Sequence, residues 1–197
     1  MFWEIIALCL FGYLVGSVPF GLVSARLAGL GDIRKIGSGN IGATNVLRSG
    51  HKGAAFATLI GDAGKGALAV LICRLAGYET ASAVVGLCAV IGHCYPIGLS
   101  FKGGKGVATA IATIAMLSWP AGLVMAITWL VMSAIFKISS LSALTGFVTA
   151  VITSYYFYDD WLIILGIAAL SFWRHRDNIK RLLKGQESKI SFQKSVK

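Results

Sequence analysis

A succession of apolar runs, separated by short polar segments, constrains this chain more than any other feature. Only 13% of the 197 residues are charged and the mean hydropathy is +0.77, whereas soluble domains carry about 25% charged residues. In lipid, runs of this length must satisfy their own backbone hydrogen bonds as helices. The sequence therefore predicts an all-α integral membrane protein, with residues 1–197 forming a single membrane-embedded domain.

The apolar runs predict seven transmembrane helices, some of them short. They cover residues of about 3–28, 54–75, 81–99, 107–119, 121–136, 141–156 and 161–173. With seven spans, only Arg74 of the 18 Lys and Arg residues falls in a loop on the more acidic side, and Lys65 lies within a span. The positive-inside rule then places the N-terminus outside and the C-terminus in the cytoplasm.

The net charge of +10 fits basic cytoplasmic loops and a basic tail at about residues 180–197 that anchors to anionic lipid. In a membrane protein this charge is not evidence for nucleic acid, and neither a nucleic-acid nor a protein partner is predicted. The four cysteines include no CxxC pair and read as small buried hydrophobes, so no metal site is predicted.

Residues 101–109 form a polar, glycine-rich segment between two apolar runs. Such a segment must face water or a polar cavity, because its lysines and free backbone groups cannot lie in lipid. Bare backbone N–H groups next to ammonium groups suit a phosphate. The candidate phosphate ligands are Lys102, Gly103, Gly104, Lys105, Gly106 and Thr109.

A second polar segment covers residues 38–48. Hydroxyl, amide and guanidinium groups recur in it, and these groups bind phosphate oxygens and sugar-like hydroxyls. The candidates are Ser38, Asn40, Thr44, Asn45 and Arg48. The alternative is an ordinary cytoplasmic loop rich in turn residues.

Three ionisable residues, Asp62, Lys65 and His93, lie in or near the predicted spans. Asp62 and Lys65 share one face of the second span at i and i+3, as either an internal ion pair or a pair in which Lys65 neutralises a bound anion. His93 precedes Pro96 at the end of the third span, near the phosphate-binding candidates, and has either a structural role or a role in proton transfer.

The third polar segment, residues 172–178, contains His175 and Asn178, which lipid anchoring alone does not require. In the seven-span arrangement all three polar segments fall on the cytoplasmic side. Groups that are distant in the chain then converge on a composite site at the lipid boundary. Its Lys and Arg residues favour a phosphorylated substrate, and its position favours an amphiphilic partner.

These three segments, in this order, resemble the bacterial acyl-phosphate:glycerol-3-phosphate acyltransferase family. The motifs that carry the resemblance are Ser38 to Asn45 with Arg48, Gly92-His93 with Pro96 and residues 101–109, and Phe172 to Arg176 with Asn178. The resemblance implies that a long-chain acyl phosphate donates its acyl group to the 1-hydroxyl of glycerol 3-phosphate. It implies a bacterial inner-membrane enzyme of phospholipid synthesis that needs no metal or cofactor.

The chemistry implied by the resemblance fits the composition of the three segments. An acyl phosphate already carries a good leaving group, so a serine or cysteine nucleophile is not required. We expect residues 103–106, assisted by Lys102 or Thr109, to hold a phosphate, and the resemblance implies that it is the acceptor's. We expect His175 and Asn178 to position the hydroxyl or stabilise the oxyanion. The proton acceptor is His175, His93 or a substrate phosphate.

Two other classes of protein fit part of the pattern. A transporter for an organic phosphate would also contain glycine-broken helices and intramembrane charges, but no inverted repeat is visible and the charges cluster on one face. A non-catalytic phospholipid-binding scaffold would not need His175 and Asn178.

Overall fold

The computed structural model describes residues 2–190, so Lys194 and Lys197 of the predicted basic tail lie outside the described residues, as does Met1. Within this range all regular secondary structure is helical, with no strand. The α-helices are α1 Phe2–Gly16, α2 Phe20–Leu27, α3 Ala43–Arg48, α4 Lys52–Leu75, α5 Ser82–Cys94, α6 Val107–Leu117, α7 Trp119–Phe136, α8 Ser139–Phe157, α9 Trp161–Arg174 and α10 Arg176–Leu183. Short 3₁₀ turns cover Ile33–Lys35, Glu79–Ala81 and Ile97–Leu99.

Five segments of the described chain are long and apolar enough to cross a membrane. They are Phe2–Leu27, Lys52–Leu75, Glu79–Leu99, Trp119–Phe136 and Ser139–Phe157. Helices α6 and α9 have 11 and 14 residues, and at about 1.5 Å per residue neither covers a hydrocarbon core of about 30 Å by itself. The prediction of an all-α, multi-pass fold is confirmed, whereas the count of seven spans stays a prediction.

The first apolar segment is broken near its middle. Helix α1 ends at Gly16 and α2 begins at Phe20, with Pro19 at the N-cap of α2. Proline has no N–H to continue the helical ladder, which accounts for the break at this point. The break leaves the Val18 carbonyl oxygen able to accept a hydrogen bond from Lys65 Nζ at 2.8 Å.

Small residues let the helices pack with their backbones close together. A Cβ added at Gly16 of α1 would overlap the Ala89 carbonyl of α5, and one at Gly92 would overlap the Tyr13 carbonyl. Because only glycine fits at such crossings, α1 and α5 are held in direct contact. A buried core from α5 to α9 continues the bundle. Its members include Val90, Ile114, Met125, Phe147 and Ile164.

Candidate active site

A cavity of about 540 Å³ lies where several helix ends meet. Its polar wall comes from α3 and the loop before it, the residue before the N-cap of α6, the first residues of α8, and the junction of α9 with α10. Its apolar wall comes from α4, α6 and α7. The apolar lining residues include Phe56, Leu59, Ile111, Ala126 and Leu130.

The apolar wall is continuous with the outer surface of the bundle. The side chains of Phe56, Leu59 and Leu130 line the cavity and are themselves 65%, 44% and 60% exposed, so the cavity is open on this side. In a membrane protein, such surface faces acyl chains rather than water. The cavity therefore joins a polar compartment to the lipid-facing side of the molecule.

Most of the sequence-predicted site residues come together in this cavity. Those that line it are Ser38, Asn40, Thr44, Asn45, Arg48, His93, Lys105, Gly106, His175 and Asn178. The remaining candidates do not line it. These are Lys65, Lys102, Gly103, Gly104 and Thr109.

Lys105 lies at the centre of the polar wall. Its ammonium group donates a 2.5 Å hydrogen bond to Asn178 Oδ1, and Asn178 Nδ2 donates to Glu187 Oε1 at 2.6 Å. Burial lowers the pKa of Lys105 to about 8, although the nearby Glu187 carboxylate favours the charged form. Lys105 is therefore mainly cationic at neutral pH and can attract an anion, and it loses that charge in mildly alkaline solution.

Glu187 connects the end of the described chain to the site. Besides Asn178, it accepts hydrogen bonds from Arg181 Nε at 2.7 Å and from Ser140 Oγ at 3.0 Å. Burial would raise the pKa of Glu187, but these hydrogen bonds outweigh it and hold the pKa below its ordinary value. Its negative charge is thus balanced by Arg181, and residues of α8 and α10 hold the carboxylate in place.

His175 is 2% exposed and follows the last residue of α9. Its Nδ1 lies 2.7 Å from the Ser171 carbonyl oxygen. A carbonyl can only accept, so Nδ1 must carry the proton and Nε2 must present a lone pair. Burial, reinforced by the charge of Lys105, lowers the pKa of His175 to about 4. At neutral pH this imidazole is an uncharged hydrogen-bond acceptor in the cavity wall.

The loop before α3 is held in shape by Asn45, which is 2% exposed. Its Oδ1 accepts from the Ser38 backbone N–H at 2.9 Å, and its Nδ2 donates to the Ile33 and Ile36 carbonyls. Asn45 therefore fixes the loop that carries Ser38, and its own amide is fully engaged.

Thr44 and Arg48, in α3, face different partners across the cavity. Thr44 Oγ1 lies 3.3 Å from Ser139 Oγ at the start of α8. Arg48 Nη2 donates to Ser188 Oγ at 3.0 Å, so the guanidinium is anchored by the segment that follows α10. Burial lowers the pKa of Arg48, but an arginine stays charged at any physiological pH.

The segment from residue 101 to residue 106 is tied down on two sides. The Gly104 N–H donates to the His93 carbonyl at 3.0 Å and the Gly103 N–H donates to the Cys94 carbonyl at 3.2 Å. Arg174 donates to both glycine carbonyls, at 3.1 Å from Nε and 2.9 Å from Nη2. These two N–H groups are bonded within the chain, and the segment presents Lys105 and Gly106 to the cavity.

Asp62 and Lys65 form an ion pair inside the bundle. Lys65 Nζ lies 2.8 Å from Asp62 Oδ1, and both side chains are nearly inaccessible. Asp62 and His93 line the cavity, whereas the Lys65 ammonium group points away from it to the Val18 carbonyl. The structure contains the internal ion pair that was one of the two predicted roles of these residues.

Sequence reasoning missed several residues of the cavity wall. Ser139, Ser140, Trp129 and Glu187 line it but were not among the candidates. The serines look like ordinary helix-start residues, and Trp129 looks like one more apolar residue of a span. Glu187 offered one signal, since it is a lone glutamate in an otherwise basic tail.

The fold and this cavity together define a multi-pass membrane protein with a composite cavity that has one polar and one apolar wall. Comparison with known proteins gives the family. The chain belongs to the glycerol-3-phosphate acyltransferase family, whose model matches residues 6–185. Its membership and its apolar helices make it a multi-pass bacterial membrane protein.

Relatives and solved structures agree with this assignment. The glycerol-3-phosphate acyltransferase of Paramagnetospirillum magneticum is 55% identical over 98% of this chain and 97% of its own length. That of Caulobacter vibrioides is 53% identical over 93% of this chain and 86% of its own. The fold matches PlsY (YgiH), an integral membrane glycerol 3-phosphate acyltransferase, in its glycerol 3-phosphate form. The TM-score is 0.89 and the identity 35%, over 95% of this chain and 96% of that one. The lysophosphatidic acid form of PlsY matches with a TM-score of 0.86.

Proposed function

We propose that this protein transfers a fatty acyl group from a long-chain acyl phosphate to the 1-hydroxyl of sn-glycerol 3-phosphate. The products are lysophosphatidate and inorganic phosphate. The observation that carries the proposal is the cavity itself, because one wall holds Arg48 and Lys105 while another opens through Phe56 and Leu130 to the lipid-facing surface. A phosphate and an acyl chain can therefore occupy it together. The family to which the chain belongs supports the same reaction.

Binding of the two anions rests on the cations of the polar wall. Lys105 supplies a point charge and Arg48 a planar fork suited to phosphate oxygens. Hydroxyls of Ser38 and Thr44 add neutral donors. Holding two like-charged substrates side by side is the main cost of the reaction, and fixed cations offset it before the chemistry begins.

His175 is our first candidate to accept the proton of the attacking hydroxyl. Its lone pair at Nε2 is fixed by the bond between Nδ1 and Ser171, and its low pKa keeps it neutral. The hydroxyl oxygen of glycerol 3-phosphate then bonds to the acyl carbonyl carbon, and the bond from that carbon to the phosphate oxygen breaks. Phosphate leaves with the electron pair, and the proton passes to His175 or to the phosphate. His93 is the second protein candidate.

We infer a direct transfer without an acyl-enzyme. Phosphate is a good leaving group, so a protein nucleophile would add a step without lowering the barrier. Cys94 is fully buried and does not line the cavity. Asn178 is bonded on both sides, to Lys105 and to Glu187, so we assign it to positioning Lys105 and, through it, the oxyanion.

For the topology we propose seven spans in the inner membrane, with the N-terminus outside, the C-terminus in the cytoplasm and the site facing the cytoplasm. The support is the cavity wall, which takes its residues from the starts of α3 and α8, from the residues before α6 and from the end of α9. These segments share a side only if α6 and α9 both cross. Nearly all Lys and Arg residues then lie on that side as well.

One assay tests the function. Purified protein in detergent, given glycerol 3-phosphate and palmitoyl phosphate, is expected to release inorganic phosphate and lysophosphatidate in equal amounts. Acyl-coenzyme A in place of acyl phosphate serves as the control donor and is expected to give no product. A protein that is inert in detergent but moves glycerol 3-phosphate across sealed vesicles would instead be a transporter, and the proposal would fail.

A further inference from the structure

A carboxylate in the wall of an anion-binding cavity requires an explanation. Asp62 lines the cavity, and an uncompensated negative charge there would repel both phosphates. Its side chain is 3% exposed, so water does not screen the charge. Glu187, the other carboxylate of this wall, is balanced by Arg181 at 2.7 Å. Asp62 needs its own counter-charge.

Lys65 provides that counter-charge from the side of Asp62 that faces away from the cavity. Its ammonium group lies 2.8 Å from Asp62 Oδ1 and donates to the Val18 carbonyl, also at 2.8 Å. The ring of Phe20 faces the ammonium group, with 5.8 Å between Nζ and the ring centroid. These contacts come from the break between α1 and α2. Lys65 is thus held on the far side of Asp62 and has no contact with the cavity.

Asp62 in turn faces His93. The Asp62 Oδ1 atom lies 3.4 Å from His93 Nδ1, which is buried and makes no other polar contact within the described chain. The other edge of the imidazole packs on Gly104, where an added Cβ would overlap Nε2. The His93 carbonyl accepts the Gly104 N–H at 3.0 Å. The orientation of His93 therefore fixes the residue that immediately precedes Lys105.

We propose that Lys65 is a positioning residue that cancels the charge of Asp62, so that this carboxylate can anchor His93 and the Lys105 loop in the wall of a cavity that receives anions. The inference rests on the proposed function for the identity of the anion. It assigns to Lys65 no contact with substrate. A direct phosphate ligand and a charge-cancelling partner respond differently when the carboxylate is also removed, and this difference gives the test.

The test compares Lys65→Met, Asp62→Asn and the double variant Asp62→Asn/Lys65→Met with the wild-type protein in detergent. Calorimetry gives the Kd of glycerol 3-phosphate, and phosphate release gives its KM. We expect Lys65→Met to raise both by about tenfold or more, the effect of one unscreened charge about 10 Å away at an effective dielectric constant near 20. The double variant is expected to return to within about threefold of wild type, because the pair then has no net charge and the amide oxygen that replaces Asp62 Oδ1 can still accept a hydrogen bond from His93 Nδ1.

Arg74, near the C-terminal end of α4, and Glu79, just after it, provide a control ion pair. They form an ion pair at 3.2 Å that does not line the cavity. The variant Arg74→Met/Glu79→Gln is expected to leave Kd and KM unchanged. This control separates the loss of an ion pair as such from the loss of one in the cavity wall.

The alternatives each give a distinct result. If Lys65 binds substrate directly, the double variant keeps the raised Kd, and the inference is wrong. An unchanged Kd in Lys65→Met also overturns it. If Lys65→Met does not fold, the double variant decides: a Kd near wild type supports the inference, and a tenfold rise contradicts it. Turnover by wild type tests the proposed function separately, since Kd is measured without an acyl donor.

Discussion

Lys105 and Asn178 are 73 residues apart in the chain, yet the ammonium group of one donates a 2.5 Å hydrogen bond to the amide oxygen of the other. The bond joins the glycine-rich loop before α6 to the first turns of α10. Asn178 is 4% exposed, and its Nδ2 donates a further hydrogen bond to Glu187. Through this chain of contacts the position of the cavity's central cation depends on the C-terminal helix.

Loss of the Lys105 charge should weaken substrate binding. The variant Lys105→Met is expected to lower kcat/KM for glycerol 3-phosphate by about 10- to 100-fold, the range for a hydrogen bond to a charged group. Because the pKa of Lys105 is lowered to about 8, the wild-type KM should rise as the pH rises through 8 and the ammonium loses its proton. Steady-state kinetics from pH 6.5 to 9.5 measure both effects. In Lys105→Arg, whose side chain stays charged over this pH range, KM should not rise with pH. A KM that still rises in this variant would contradict the assignment.

Replacing His175 should separate binding from proton transfer. The variant His175→Ala is expected to lower kcat by about 10²- to 10⁴-fold with little change in KM, if the imidazole accepts the hydroxyl proton. Its pKa of about 4 means that the wild-type enzyme should lose this contribution only as the pH falls through 4, where Nε2 becomes protonated. Kinetics under saturating substrate give kcat. A raised KM with kcat intact would assign His175 to binding alone.

A methyl group at Gly104 should disturb the loop that carries Lys105. Its Cβ would overlap the imidazole of His93, which is buried and cannot move away freely. We expect Gly104→Ala to cost about 1–3 kcal/mol of stability and to reduce activity, since overpacking displaces the loop. Gly98→Ala is the control, because no atom lies within 4 Å of its Cβ. Thermal unfolding in detergent compares the two, and equal melting temperatures would refute the tight contact.

Removing the Glu187 carboxylate should destabilise the end of the chain. The variant Glu187→Ala loses bonds to Ser140, Asn178 and Arg181, and we expect a cost of about 2–3 kcal/mol. Since the pKa of Glu187 lies below its ordinary value, the wild-type advantage should be present at neutral pH and lost as the pH falls through that lowered pKa. A series of melting temperatures from pH 7 down to the acid limit of folding measures it. Asp177→Asn is the control, as its ion pair with Lys180 is 4.0 Å long and exposed.

The seven-span topology predicts where reporters will be found. A reporter fused after Lys137, between α7 and α8, should be active in the cytoplasm, and one fused after Asp159 should be active outside. Paired alkaline phosphatase and fluorescent protein fusions give the two readings. A periplasmic reading after Lys137 would contradict the crossing of α6 and with it the seven-span count.

Hydropathy located the helices because lipid leaves the backbone few options, and the break at Pro19 followed from its missing N–H. Helices α6 and α9 were harder to assign as membrane spans, since the polar segments beside them shorten the apolar runs. The site was predictable where residue types are chemically specific, as at Arg48, Lys105, His175 and Asn178. It was not predictable at Ser139 and Ser140, which resemble any serines at a helix start.

The sequence by itself determined that the chain is an all-α membrane protein, and its three polar segments indicated a site for a phosphorylated substrate at the lipid boundary. These properties follow from composition and residue type, which need no knowledge of contacts. Only the tertiary structure decided which candidates face the cavity. Gly103 and Gly104 use their N–H groups on the backbone of α5, and Lys65 turns to Asp62 and Val18. Hydrogen bonds between residues far apart in the chain determine which groups face the cavity, and no local sequence pattern predicts these bonds.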